Sequence, residues 1–301
     1  MSPVRLTHIV ALIWIAGSHL TTAQTQELIL PVAVNGVVRS PLHFQTTYRI
    51  LNTSDAIISV TFEARRQDGS ETNLFKDLFC DVGPIPPPIL SKTIFTLQPN
   101  GAIELPSKSA SDALFNGWIR LTYVSATPSA VQANSEVTFV SANPVPCPPN
   151  IAICQRPSGD ILSSATVSAV KSQKEFHLPA TITTNRHTAI AVVNPSPTQK
   201  ATVTLTLLDS IGRVFLVNGA AISSKLEIPP GTKLSSFLWE AFVTCLPFQP
   251  CIPTQPLPPP APEMFHGSLK ITSDNPVGVA ALNVLLPEGK LVNIPVVSIE
   301  P

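Results

Sequence analysis

The chain has 301 residues, 19 basic and 19 acidic, and only 13% of them are charged. This balance, with no Lys/Arg run longer than Arg65–Arg66, argues against nucleic acid or an anionic membrane surface as partner, because both are met with clustered positive charge. Charged residues stand at roughly half their usual share, so serine, threonine, asparagine and proline must carry much of the surface.

The first segment places Arg5 before the apolar run IVALIWIAG (Ile9–Gly17) and then SHLTTAQ, with the small Ala23 next to last. This order predicts a secretory signal peptide over residues 1–23, cut before Gln24. The apolar run is about half the ~20 residues a spanning helix needs, and no later segment is apolar enough to span. The mature chain is therefore expected to be secreted or periplasmic.

Beyond the leader the sequence repeats itself. ELILP (Glu27–Pro31) returns as EFHLP (Glu175–Pro179), and YRILNTSDAIISVTFEARRQDG (Tyr48–Gly69) returns as IAVVNPSPTQKATVTLTLLDSIG (Ile190–Gly212). FTLQPNG (Phe95–Gly101) pairs with LEIPPG (Leu226–Gly231), and NGWIRLT (Asn116–Thr122) with HGSLKIT (His266–Thr272). GDILSSATVSAV (Gly159–Val170) pairs with GKLVNIPVVSIE (Gly289–Glu300). The blocks keep their order, which single chance matches would not.

Each block alternates with period two. Val60 and Phe62 share one face of SVTFEA, and Val203, Leu205 and Leu207 one face of TVTLTLL. GWIRLTY turns Ile119, Leu121 and Tyr123 inward and Trp118, Arg120 and Thr122 outward. That is the pattern of half-buried strands, and the turn residues Asp68-Gly69, Asn100-Gly101, Pro230-Gly231 and Glu288-Gly289 separate them. ASDALFNG (Ala110–Gly117) and SSFLWEAF (Ser235–Phe242) have room for a turn or two of helix. About seven short strands per repeat predict an all-β protein of two tandem Ig-like antiparallel β-sandwich domains, residues 24–171 and 172–301, joined near KSQK (Lys171–Lys174).

Pro/Cys-rich inserts interrupt this scaffold at unlike places: residues 75–91 and 143–159 in the first domain and 244–262 in the second. All five cysteines follow the leader. In an oxidising compartment Cys147 is expected to pair with Cys154 and Cys245 with Cys251, leaving Cys80 over. A metal site is disfavoured, since neither pair has zinc-knuckle spacing and no histidine completes one. Prolines fix φ and remove donors, so these inserts are expected to project as stiff excursions. They suit either a recognition surface, with Leu246 and Phe248 inside the second staple, or a cover over exposed sheet edges.

Motifs for catalysis, phosphate binding or a cofactor are missing, so no enzyme activity and no cofactor or metal is expected. His43, His177, His187 and His266 read as surface or strand-end residues; His177 and His266 face Ile29 and Asn116 in the other repeat. Asp209 suits a turn, Glu27 and Glu175 suit solvated strand starts, and Asn52-Thr53-Ser54 is a formal glycosylation acceptor. Trp118 is the one outward aromatic with no counterpart, Ser268 standing in its place. It is a candidate binding residue, with burial beneath the inserts as the alternative.

At VVNPSPTQKATVTLTLLDSIG, LEIPPG and GSLKITSDNPVGVAALNV the chain resembles the Ig-like β-sandwich modules found singly or in tandem in secreted bacterial proteins. That resemblance implies a non-catalytic extracellular module. The expected function is structural or adhesive, through loops that bind a protein or cell-surface polymer. A carbohydrate-binding module using Trp118 and a strand-donating periplasmic chaperone are the alternatives.

Overall fold

The computed structural model describes residues 22–39, 42–79, 91–107, 114–141, 160–217, 219–242, 265–285 and 289–299. These form two antiparallel assemblies that share no strand. The first contains β1 (Gln24–Arg39), β2 (Leu42–Asn52), β3 (Ile58–Arg66), β4 (Lys92–Leu97), β5 (Ala102–Pro106), β6 (Phe115–Ser125), β7 (Val131–Ser141) and β8 (Asp160–Ser168), with one π-helical turn at Leu74–Leu78. The second contains β9 (Gln173–Ile182), β10 (Arg186–Val193), β11 (Ala201–Leu208), the small hairpin β12 (Leu216–Val217) and β13 (Ala220–Ala221), β14 (Ser223–Ile228) and β15 (Lys233–Phe237). The short helix α1 (Leu238–Phe242) follows, then β16 (Phe265–Leu285), β17 (Lys290–Asn293) and β18 (Val297–Ser298).

In the first unit one layer runs β4-β3-β6-β1. Strand β1 then changes layers: Asn35 still pairs with Phe115 of β6, while Gly36 pairs with Phe44 of β2. Gly36 makes the crossing with φ 114°, a conformation that a side chain would oppose. In the other layer β2 has β7 on one side and β5 on the other, and β8 lies beyond β7. The alternating residues Leu28, Leu30, Val60, Phe62, Leu121 and Tyr123 face Tyr48 and Ile50 across one buried core. The expectation of an all-β, antiparallel, sandwich-like fold therefore holds. An immunoglobulin domain keeps its C, F and G strands in one sheet. Here β6 lies between β3 and β1, and its successor β7 joins the other layer.

The second unit repeats this order with one economy. The long strand β16 pairs with β11 and β9 along its first half and with β10 and β17 along its second, so it replaces both β6 and β7. The return strand recurs as well: Val170 bridges Ile29, and Val297 of β18 pairs with His177.

Equivalence extends to single hydrogen bonds. Asn52 is fully buried, and its Nδ2 donates to the carbonyls of Ala56 and Gln98 at 2.7 and 2.9 Å, while its Oδ1 accepts from the Ser54 N–H. Asn194, also buried, donates from Nδ2 to Gln199, Ile228 and Pro229 and accepts from Ser196. The glycosylation-like Asn52 is thus a turn peg whose amide nitrogen is committed to carbonyls.

The structure also corrects two pairings. Positive φ falls on Asn100 (55°) and Gly231 (70°), so Asn100, not Gly101, is the counterpart of Gly231. In the last block, Val137 opposite Ala165 corresponds to Asn283 opposite Val292, which slides the pairing by three residues from the one that Gly159 and Gly289 suggest. The turn glycine Gly289 belongs to a shorter hairpin, and its identity misleads. The second unit's SSFLWEAF forms the end of β15 and α1, a helix within the turn or two for which the segment has room.

Candidate functional site

Trp118 is the first correction. Strand phase does point it away from its own core, but it is fully buried rather than open to solvent. The second unit covers it. Trp118 packs with Ile29 and Val193, its Nε1–H donates to the Gly231 carbonyl at 3.0 Å, and the Arg120 guanidinium lies 5.3 Å from its ring centre. It is an anchor between the units and has no face free for a sugar.

Around it the junction is built from the outer face of β1, β3 and β6 in the first unit and the outer face of β10, β15 and β16 in the second. Arg120 donates to the Pro195 carbonyl across the boundary and makes ion pairs with Glu27 at 3.0 Å and Glu63 at 3.5 Å. Ile29 sits against Gly278, where a Cβ would come within 2.9 Å of its side chain. A second patch joins Val32, Val137 and Val167 to Ala191 and Ala280, and the Leu291 N–H donates to Ser163 Oγ at 2.5 Å.

Burial at the junction sets the charge states. Desolvation raises the pKa of Glu27, with Arg120 opposing and Glu63 reinforcing the shift. Its counterpart Glu175 lies on an open face, where bonds to Lys270 and then His177 lower its pKa. Both glutamates were read as solvated; Glu175 lies on an open face while Glu27 is part-buried, and each pairs diagonally with a cation two residues along the neighbouring strand.

Lys233 is the junction residue that sequence reasoning missed. It is 3% exposed, and its Nζ donates to Asn116 Oδ1 at 2.5 Å and the Gly117 carbonyl at 2.6 Å, both in the first unit. Its backbone N–H donates to the Gln67 carbonyl at 2.9 Å. Burial pushes the amine pKa down to about 7. A cavity of about 180 Å³ adjoins it, walled by Val32, Val34, Ala191, Ala280 and Leu282. The available signal was its counterpart: β15 begins with Lys233 where β5 begins with Ala102, and nothing in a strand's own pattern requires that lysine.

The other candidates do not converge. His177 bonds Glu175 at 3.2 Å, His187 stands edge-on to Phe237, and His266 is exposed. Asp209 caps its turn by accepting from the Ile211 and Arg213 N–H groups, and those bonds lower its pKa. Among the described residues no group of three or more His, Cys, Asp or Glu comes together, and no helix is long and apolar enough to cross a membrane. Leu246, Phe248, Cys80, Cys147, Cys154, Cys245 and Cys251 lie outside the described residues.

The stems of the inserts are described. Phe79 and Ser91 flank one, Ser141 and Asp160 flank another, and Ser141 pairs with both Asp160 and Leu42. By strand register these stems stand at the same end of the first unit as Phe115 and Gly117. The third insert leaves from Phe242 and returns at the buried Phe265, the counterpart of Phe115, at the equivalent end of the second unit. No protein-family model, curated protein or solved structure matches the chain.

Proposed function

We propose that the chain is a secreted, non-catalytic structural or adhesive protein. In this reading its two Ig-like units, of variant strand order, form one rigid body that presents the inserts to a protein or cell-surface partner. The observation that carries the reading is the placement of the stems, which leave paired strand ends and a buried phenylalanine. Segments anchored this way lose less conformational freedom on binding than free loops do. The reading gains further support from how the conspicuous side chains are spent: Trp118, Arg120 and Lys233 hold the units together, and Asn52 and Asn194 hold turns.

The test compares the full chain with a variant in which residues 244–262 are replaced by a short Gly/Ser linker, and with Leu246→Ser/Phe248→Ser. Each is applied to immobilised extracellular-matrix proteins and bacterial surface polysaccharides. Saturable binding by the parent, lost in both variants at unchanged thermal stability, is the expected result. Binding that survives both would place recognition elsewhere. Amino-terminal sequencing of exported protein should begin at Gln24.

A further inference from the structure

The surroundings of Lys233 suit an amine better than an ammonium. An uncharged amine has two N–H donors, and two acceptors meet them, Asn116 Oδ1 and the Gly117 carbonyl. Protonation adds a third donor and a full charge, and among the described residues neither a third acceptor nor a carboxylate answers them.

The charged groups nearest in sequence to the amine's partners Gln67, Asn116 and Gly117 are engaged with other groups. On the first unit's β3 and the turn after it, Arg65 pairs with Glu63, Arg66 pairs with Asp77, and Asp68 accepts from Ser70. On β6, Arg120 is held by Glu27 and Glu63. In the second unit the positions beside Lys233 are Val193 and, across β10, Gly278, neither of which carries charge. Asn116 is itself fixed, its Nδ2 donating to Gln67 Oε1 at 2.5 Å.

We propose that the junction closes around the uncharged form of Lys233, so that docking the two units releases a proton. Burial moves this amine from the ordinary lysine value of 10.5 to about 7. In an opened or unfolded junction it returns to water and to its ordinary value. Between these limits the open state binds a proton that the closed state does not, so the junction strengthens as pH rises from about 7 towards 10.5. Below about 7 both states carry the proton and the full penalty stays constant.

Thermal unfolding of the full chain and of Lys233→Met, from about pH 6 to about pH 10, tests this. The methionine variant should be the more stable at the acid end, with a gap that narrows steadily towards the alkaline end. Every other titratable group is common to both proteins, so the difference reports Lys233. A gap independent of pH, or one that widens as pH rises, would overturn the proposal.

A second readout needs no variant. In lysine-labelled wild-type protein, NMR should show one amine with a midpoint near 7. The lack of any amine with a midpoint near 7 would overturn the proposal. So would an intact mass short by one ammonia, which would mean that the amine has condensed with the Asn116 carboxamide.

Discussion

Trp118 and Ser268 occupy the same position of the repeat, and the contrast has an energetic meaning. The tryptophan is buried by another unit and hydrogen-bonded there, whereas the serine is part-exposed on the outer face of its strand. Trp118→Ala should cost about 3–5 kcal/mol, a lost aromatic plus the cavity it leaves. Ser268→Ala should stay within about 0.5 kcal/mol, since the serine is part-exposed and removing its hydroxyl leaves no cavity. Urea unfolding of the two variants measures both, and equal, small effects would remove the tryptophan from the junction. The two asparagines behave alike because their surroundings are alike. Removing either amide strands backbone carbonyls at a turn, so Asn52→Ala and Asn194→Ala should each cost about 2–3 kcal/mol. Asparagine is legible as a turn residue in the sequence; that it satisfies three carbonyls from two separate segments is not, because those segments meet only in the fold.

Gly117 and Gly267 carry the corresponding lesson for elements. Each follows a buried phenylalanine by two positions, and a Cβ at either would collide with that ring and with a carbonyl of the neighbouring strand, that of Arg65 or Leu208. The ring of Phe115 or Phe265 folds back over its glycine, so both strands begin the same way. Gly117→Ala and Gly267→Ala should each destabilise by about 3 kcal/mol or more, since neither backbone nor ring can withdraw cheaply. Thermal denaturation checks this, and a tolerated alanine would mean that the strand start is loose. The sequence offered the shared Gly and the strand behind it. It did not offer the merger of two strands into β16, because continuity across Ser273–Val277 depends on pairing with β9 on one side and β10 on the other.

Seen whole, the junction is head-to-tail: the outer face of β1, β3 and β6 in the first unit, joined by Val137, Ser163 and Val167 of the other layer, meets the β10, β15 and β16 face of the second. Each unit therefore keeps a second copy of a joining face that the other unit does not cover among the described residues, and both copies are mostly polar. Where the second unit docks with Val193, Ala191, Ala280 and Leu282, the first unit carries Leu51, Arg49, Asn134 and Glu136. Arg49 is tied there to Glu104 at 3.0 Å and Glu136 at 2.7 Å. Where the first unit docks with Ile29, Trp118 and Arg120, the second carries His177, Ser268 and Lys270. A head-to-tail contact propagates unless its ends are capped, and these substitutions are the caps. Installing joining residues on both free faces (Arg49→Ala, Asn134→Ala, Glu136→Leu, His177→Ile, Ser268→Trp) should produce association that grows with concentration in sedimentation velocity. If the mass stays that of the parent at every concentration, the charged faces do not act as caps. Lys233 belongs to this scale too: burying it in the closed state costs about 5 kcal/mol at about pH 7 and below, where the buried amine is protonated, and less as pH rises towards 10.5, from 1.36 kcal/mol for each pH unit.

The sequence alone determined the strands, their inward faces and the duplication, because period-two burial and turn chemistry are local and were written twice. Comparing the copies even marked the positions that differ, Trp118 against Ser268 and Ile29 against His177. Only the tertiary structure decided what those differences were for. Outward phase is a property of one strand within its own sheet, whereas exposure depends on what is packed above it. For Trp118 and Lys233 the covering surface comes from more than a hundred residues away in the chain, beyond the reach of any local pattern.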